Sequence, residues 1–206
     1  MEESATVYIV DDDMAHGVGV RRLLRAAGID AQAFDSATAF LANLPAGAHG
    51  CVVADLRMPG VNGLELQDAL ASSGNPLPIV FLSGYADIPS TVRAMRQGAV
   101  DFIEKLAPGE VLIAAVKRAL TTDAASRAER GRQHELRGRF ATLTPREREV
   151  LRCVVRGLMN KQIAAALGIH ERTVKLHRTA ITTKVGSHSI AELAILTREA
   201  GLFVEG

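Results

Sequence analysis

Two hydrophobic patterns alternate along the first 120 residues. Short runs rich in apolar and β-branched residues lie at Val7–Val10, Ala31–Phe34, Cys51–Ala54, Ile79–Leu82 and Val100–Ile103. Stretches with helical spacing follow them at Ala15–Ala27, Ser36–Leu44, Gly63–Ser72, Ile88–Gln97 and Glu110–Leu120. Such alternation favours a parallel sheet with helices on both faces. We therefore predict a doubly wound, five-stranded α/β domain over residues 1–120.

The second half of the chain lacks strand-like runs. Residues 121–141 are polar and rich in arginine, and we interpret them as a linker that can be partly helical. Thr144, Pro145 and Glu147 then form a capping-box sequence, which marks a helix start. Further helices are predicted at Asn160–Leu167, Glu171–Val185 and Ser189–Ala200. Residues 142–206 are thus expected to form a small, all-α domain of four helices.

Charge is distributed unevenly between these halves. The 206 residues carry a formal net charge of only +1. However, residues 1–120 hold nine Lys/Arg against fourteen Asp/Glu, whereas residues 121–206 hold fifteen against nine. A basic second half indicates contact with a polyanion. No apolar stretch approaches the roughly 20 residues of a membrane span, so we expect a cytoplasmic protein without a membrane partner.

Polar side chains follow four of the predicted strands. Asp11 and Asp12 follow the first strand, Asp55 the third, Ser83 the fourth, and Glu104 with Lys105 the fifth. In open α/β sheets, ligands bind outside the carboxyl ends of the strands. Carboxylates there suit Mg²⁺, and a lysine and a hydroxyl suit phosphoryl oxygens. An aspartate can also form an aspartyl phosphate, so the pattern indicates phosphoryl transfer.

Four motifs carry a family resemblance. The segments VDDD, DLRMPGVNG, FLSG and DFIEK stand in the order and spacing of a response-regulator receiver domain (flavodoxin-like). The segment LTPREREVLRCVVRGLMNKQIAAALGIHERTVKLHRTAITTKV resembles a LuxR-type helix-turn-helix domain. Together they resemble the FixJ/NarL group of two-component transcription regulators. The resemblance implies phosphorylation by a sensor histidine kinase, dimerisation on phosphorylation and binding to double-stranded DNA.

The resemblance also implies roles for residues of the first domain. Asp55 would accept the phosphoryl group, and Mg²⁺ would be held by Asp11, Asp12, Asp55 and the backbone carbonyl of Arg57. Ser83 and Lys105 would bind phosphoryl oxygens, and Phe102 would be the aromatic switch residue. Of the residues near this cluster, we expect His16 to lie on the surface and Asp13 to act as a first-turn acid or cap.

One position departs from the family pattern. Proline usually follows the strand-end lysine, and the bond between the two is cis. Leu106 stands there in this chain. Because a cis bond before a residue other than proline costs about 2.5–4 kcal/mol, we expect a trans peptide between Lys105 and Leu106.

The predicted helix Glu171–Val185 would enter the major groove. Helical periodicity puts Val174, Ile181 and Val185 on one face, which leaves the other for DNA. The residues assigned to DNA contact, from periodicity and from the resemblance, are Lys161, Arg172, Thr173, Lys175, Leu176, His177, Arg178 and Thr179. Of these, Lys175, Leu176 and Thr179 are at base-reading positions, and the resemblance puts Lys161, Thr173, His177 and Arg178 at phosphate-contacting ones. His170 replaces the usual N-cap serine, which predicts a weaker cap.

Three functions can be considered for a chain with these motifs. The first is a DNA-binding transcription regulator controlled by phosphorylation of Asp55, which is not an enzyme apart from its part in phosphoryl transfer and slow autodephosphorylation. The second is a DNA-binding regulator that acts without phosphorylation. The third, a Mg²⁺-dependent phosphohydrolase, would require a substrate pocket and a second acid or base, and it would leave the basic half unexplained. We favour the first function.

Overall fold

The computed structural model describes residues 5–74, 76–84 and 87–202. The chain divides into two compact units, Met1–Ser126 and Arg127–Gly206. Within the described ranges, no helix combines the length and the apolar composition that a membrane span requires.

The described part of the first unit contains a five-stranded parallel sheet. Its strands are β1 (Thr6–Val10), β2 (Ala31–Phe34), β3 (Gly50–Ala54), β4 (Ile79–Ser83) and β5 (Asp101–Glu104). They lie in the order β2-β1-β3-β4-β5. This order reverses between β1 and β3, and ligands of doubly wound sheets bind at such a reversal. Every predicted strand is present with its ends displaced by no more than one residue.

Alternate strand residues point to opposite faces of the sheet, and helices cover both faces. On one side Val10, Val52 and Phe81 belong to the apolar core formed with α2 (Ala37–Asn43), α3 (Gly63–Ser72) and α4 (Ile88–Arg96). On the other side Ile9, Val53 and Val80 belong to the core formed with α1 (Met14–Ala26) and α5 (Gly109–Ala141). Burial on both faces explains why the strands read as continuous apolar runs.

Helix α5 is longer than the sequence predicts. The helix expected over Glu110–Leu120 continues to Ala141, through all of the predicted linker. Asp123 is only 3% exposed, and its Oδ2 accepts a hydrogen bond from the Gly50 N–H at 2.9 Å. Leu136 and Phe140 join the core of the second unit. A few buried residues thus anchor a segment whose average composition is polar.

The described part of the second unit has four further helices, which are α6 (Pro145–Val155), α7 (Asn160–Leu167), α8 (Glu171–Val185) and α9 (Ile190–Glu199). The predicted capping box is present, with the Thr144 side chain accepting from the Glu147 N–H and Glu147 accepting from the Thr144 N–H. Val174, Ile181 and Val185 are fully buried in the core, as their periodicity predicts. His170 gives α8 no side-chain cap.

Candidate functional site

The predicted carboxylates meet at the reversal of the sheet. Asp11 follows β1 and Asp55 follows the neighbouring strand β3, and both are almost fully buried, at 3% and 9% exposure. One carboxylate oxygen from each of Asp11, Asp12 and Asp55 lies within 4.8 Å of the others. Backbone hydrogen bonds fix the strand ends, since the Asp55 N–H donates to the Val10 carbonyl at 2.9 Å. The sheet therefore holds three acids in one small volume.

Lys105 connects two of these acids. Its Nζ lies 2.7 Å from Asp11 Oδ2 and 2.7 Å from Asp55 Oδ2. Burial opposes the charge of Lys105, but hydrogen bonds to Asp11 and Asp55 outweigh it and raise the pKa of the lysine above its ordinary value. Lys105 is therefore protonated at neutral pH and offsets part of the negative charge.

The replacement of proline by Leu106 does not displace this lysine from the acids. The described residues contain no cis peptide bond, so the bond between Lys105 and Leu106 is trans, as we predicted. The Lys105 N–H donates to the Ser83 carbonyl at 2.9 Å, which continues the pairing of β5 with β4. Leu106 itself is 95% exposed.

Ser83 and Phe102 lie on neighbouring strands. Ser83 ends β4 and is 1% exposed, and Phe102 lies in β5 and is half-buried. The Phe102 ring centroid is 5.9 Å from that of Phe81. Their parts in phosphate binding and switching stay predictions.

The backbone of Arg57 contacts one of the acids. Its N–H donates to Asp55 Oδ1 at 3.2 Å, and its guanidinium lies 3.7 Å from Asp87. Arg57, Asp87 and Asp12 line a cavity of about 570 Å³ next to the carboxylates. The use of the Arg57 carbonyl as a metal ligand stays a prediction.

The prediction for His16 was wrong. His16 Nδ1 lies 2.6 Å from Asp11 Oδ2, and the imidazole is only 25% exposed. Asp13 is the N-cap of α1, as expected, and its Oδ1 accepts hydrogen bonds from the Ala15 and His16 N–H groups. These bonds lower the pKa of Asp13, with the bond from His16 as the largest cause. The cap places the first turn of α1 so that His16 turns back over the end of β1.

The donor set fits a hard divalent cation. Carboxylate oxygens are the ligands that Mg²⁺ prefers, and it is bound through a few carboxylates while keeping several waters. Three acids against one lysine also leave an excess of negative charge, which a cation would offset. The residues present therefore fit Mg²⁺, and Asp11, Asp12 and Asp55 are the side chains that would hold it.

A second candidate surface lies on α8. Opposite its buried stripe, Arg172, Lys175, Leu176 and Thr179 are exposed, and Leu176 is 65% exposed despite being apolar. Of the other predicted contacts, Lys161 at the start of α7 is also exposed, and three are half-buried, namely Thr173, His177 and Arg178. Arg178 Nη1 donates to Asn160 Oδ1 at 2.6 Å, which ties α8 to α7. The structure thus presents basic and apolar groups together on the outer face of α8.

Family models match both halves of the chain. Residues 7–117 match the response regulator receiver domain, and residues 141–197 match the bacterial regulatory proteins of the luxR family.

Full-length relatives and solved structures agree with these matches. The transcriptional regulatory protein FixJ of Bradyrhizobium diazoefficiens is 38% identical over 98% of both chains. The tetrathionate response regulatory protein TtrR of Salmonella typhimurium is 39% identical over 92% of this chain and 90% of its own. The response regulator StyR has 45% identity and a TM-score of 0.82, over 96% of this chain and 100% of its own.

Proposed function

The chain belongs to the response regulators that join a receiver domain to a LuxR-type DNA-binding domain, and we propose that phosphorylation of Asp55 controls its binding to DNA. The observation that carries the proposal is the contact of Lys105 Nζ with both Asp55 and Asp11, within the cluster that includes Asp12. The relatives are named as transcriptional regulators, which is consistent with a protein that is not an enzyme.

Asp55 is the nucleophile in the proposed transfer. One of its carboxylate oxygens attacks the phosphorus of a phosphohistidine on the sensor kinase. The phosphorus–nitrogen bond breaks, its electron pair goes to the departing imidazole nitrogen, which takes a proton from solvent, and an aspartyl phosphate forms. Lys105, which already contacts Asp55, binds a phosphoryl oxygen through a charge-assisted hydrogen bond. Slow hydrolysis of this acyl phosphate would reset the protein.

Receiver domains generally bind Mg²⁺ at an acidic pocket, and this chain has the corresponding acids. When bound, Mg²⁺ neutralises negative charge on the incoming phosphoryl group. Asp11 and Asp12 would hold the ion beside Asp55, with Asp11 acting through a water. Without it, three carboxylates would repel the phosphate.

The proposed switch runs from Ser83 to the α4 surface. A phosphoryl group on Asp55 would draw the Ser83 hydroxyl towards it, and Phe102 would follow on the neighbouring strand. Helix α4 has a single buried residue, Ala94, and exposes Ile88, Val92 and Met95 at spacings of four and three. This exposed apolar stripe on a thinly packed helix supports dimerisation through residues 88–105.

A charged residue in the stripe tests this interface. Ile88 is 79% exposed, so Ile88→Glu should fold and still accept phosphate. It should remain monomeric in light scattering with acetyl phosphate and Mg²⁺, whereas the wild type becomes dimeric, because a buried unpaired carboxylate opposes association. Leu41→Glu on α2 is the matched control and should dimerise normally. An equally strong dimer without phosphate would contradict the switch.

The LuxR-type domain is proposed to bind a paired DNA site through α8. Lys175, Leu176 and Thr179 would face base edges in the major groove, and Lys161 would meet a backbone phosphate at the positive N-terminus of α7. Two copies brought together by the receiver domains would bind two half-sites about one helical turn apart. The test is binding by the full chain to a site selected from random DNA, with and without acetyl phosphate. Equal affinity in both would favour the regulator that acts without phosphorylation.

Two lysines should separate base reading from phosphate contact. Lys175→Ala should cost about 2 kcal/mol on the selected site and relax base preference there. Lys161→Ala should weaken binding to selected and random DNA alike, and lower the salt slope by about one. Lys117→Ala, an exposed lysine of α5, is the control. Equal weakening of both DNAs by Lys175→Ala would exclude its base-reading role.

A further inference from the structure

One oxygen of Asp11 is held by two different side chains. Asp11 Oδ2 lies 2.6 Å from His16 Nδ1 and 2.7 Å from Lys105 Nζ. The other oxygen, Oδ1, accepts the Asp13 N–H at 2.9 Å. An ionised carboxylate only accepts hydrogen bonds, so His16 Nδ1 must carry the donated proton.

Phosphorylation would affect the two partners of Asp11 Oδ2 differently. In the proposed function Lys105 turns to a phosphoryl oxygen on Asp55, and its contact with Asp11 is weakened or lost. Asp11 is only 3% exposed, and a buried carboxylate that loses a donor is destabilised and freer to turn. Water has little access to replace the lysine.

We infer that His16 is a positioning residue of the phosphorylation site, which keeps the Asp11 carboxylate oriented towards Mg²⁺ when Lys105 engages the phosphoryl group. This inference rests on the proposed function. Partners of metal ligands fix ligand orientation in this way, and their loss typically weakens metal binding about 10–100-fold. Because Asp11 would act on the ion through a water, a loss of about fivefold to tenfold is expected here.

The local fold supports a fixed position for His16. Its backbone N–H donates to the Asp13 carboxylate at 3.1 Å, and Asp13 N–H donates to Asp11. Strand end, cap and imidazole thus form one connected set of hydrogen bonds. Lys105, the first residue after β5, reaches the same oxygen from another strand end and lies outside this set of local hydrogen bonds.

The first experiment observes the imidazole without metal. In ¹⁵N NMR of the metal-free full chain at pH 8.5, His16 should show a protonated Nδ1, because the hydrogen bond to Asp11 decides which nitrogen carries the proton. The exposed His134 of α5 provides a comparison elsewhere in the chain. An unprotonated Nδ1 on His16 would overturn the inference.

The second experiment titrates Mg²⁺ into full-length variants in the presence of beryllium fluoride, which mimics the phosphoryl group on Asp55 and so draws Lys105 away from Asp11, and it follows chemical shifts. His16→Leu should raise the Mg²⁺ Kd about fivefold to tenfold. His16→Asn, which keeps an N–H donor near the Nδ1 position, should restore the Kd to within about twofold, since the hydrogen bond is what matters. His49→Leu should leave it unchanged. Tighter binding by His16→Leu would instead show that His16 competes with the cation.

Failure of the proposed function can be distinguished from failure of the inference about His16. If the wild type takes no phosphoryl group from acetyl phosphate, the proposed function fails, whatever the state of His16. If the wild type binds Mg²⁺ and is phosphorylated but His16→Leu matches it in Kd and in the rate of phosphorylation, only the role of His16 is wrong.

Discussion

Asp55→Asn will leave the full chain unable to accept a phosphoryl group from acetyl phosphate. The amide has nearly the shape of the carboxylate but lacks the anionic oxygen that attacks phosphorus. The wild type should gain one phosphoryl group by intact-protein mass spectrometry, and the variant none. Chelation of Mg²⁺ should also suppress labelling of the wild type, because the acids would repel the donor.

Asp35→Asn is the matched control for this experiment. Asp35 is also an aspartate directly after a strand, but it follows the edge strand β2, is exposed, and lies outside the acidic cluster. It should be labelled like the wild type. Labelling of Asp55→Asn to the wild-type extent would refute the assignment of Asp55, and loss of labelling in Asp35→Asn would locate the acceptor elsewhere.

The cluster around Asp55 was predictable because it depends on topology. Carboxyl ends of parallel strands meet at one edge, so the polar residues that directly follow the strands in the sequence, Asp11, Asp55 and Lys105 among them, come together there. The buried stripe of α8 followed in the same way from helical periodicity. Both depend on regular geometry that a pattern of residues specifies.

His16 and the extent of α5 depend on irregular geometry. The contact of His16 with Asp11 requires the turn between β1 and α1 to direct the imidazole back towards the end of β1. The separation of these two residues in sequence matches neither helix nor strand periodicity. In residues 121–141 of α5, only a few residues, Asp123, Leu136 and Phe140, make the buried contacts. The segment as a whole therefore keeps the polar composition of a linker. An acidic residue such as Asp123 is also expected on the surface, since buried carboxylates are rare.

Glu147→Ala will destabilise the DNA-binding unit by about 3 kcal/mol, because it removes two stabilising functions of one buried side chain. Glu147 is 5% exposed and accepts the Thr144 N–H at 2.7 Å in the capping box of α6. It also accepts from Lys184 Nζ of α8 at 2.7 and 2.9 Å. Hydrogen exchange of α8 amides in the full chain measures the loss.

The control for this variant is Glu149→Ala in the same helix. Glu149 pairs with Arg146 on the surface, where such pairs contribute about 0–1 kcal/mol. Glu147→Gln keeps an oxygen that can accept from Thr144 but removes the charge facing Lys184, so its loss should lie between those of the two alanine variants. Equal losses of stability for Glu147→Ala and Glu149→Ala would show that the buried contacts of Glu147 do not stabilise the unit.

The stabilisation by Glu147 should also depend on pH in a defined direction. Burial raises the pKa of Glu147, but hydrogen bonds from Lys184 and Thr144 outweigh it and leave the pKa below its ordinary value. A carboxyl group whose pKa is lowered by folding stabilises the folded state fully above its unfolded pKa of about 4.3. This contribution is lost as the pH falls through the lower folded pKa. The difference between wild type and Glu147→Gln should therefore be constant near neutrality and shrink below about pH 4. A difference that grew on acidification would mean that the neutral acid, rather than the carboxylate, holds α6 to α8.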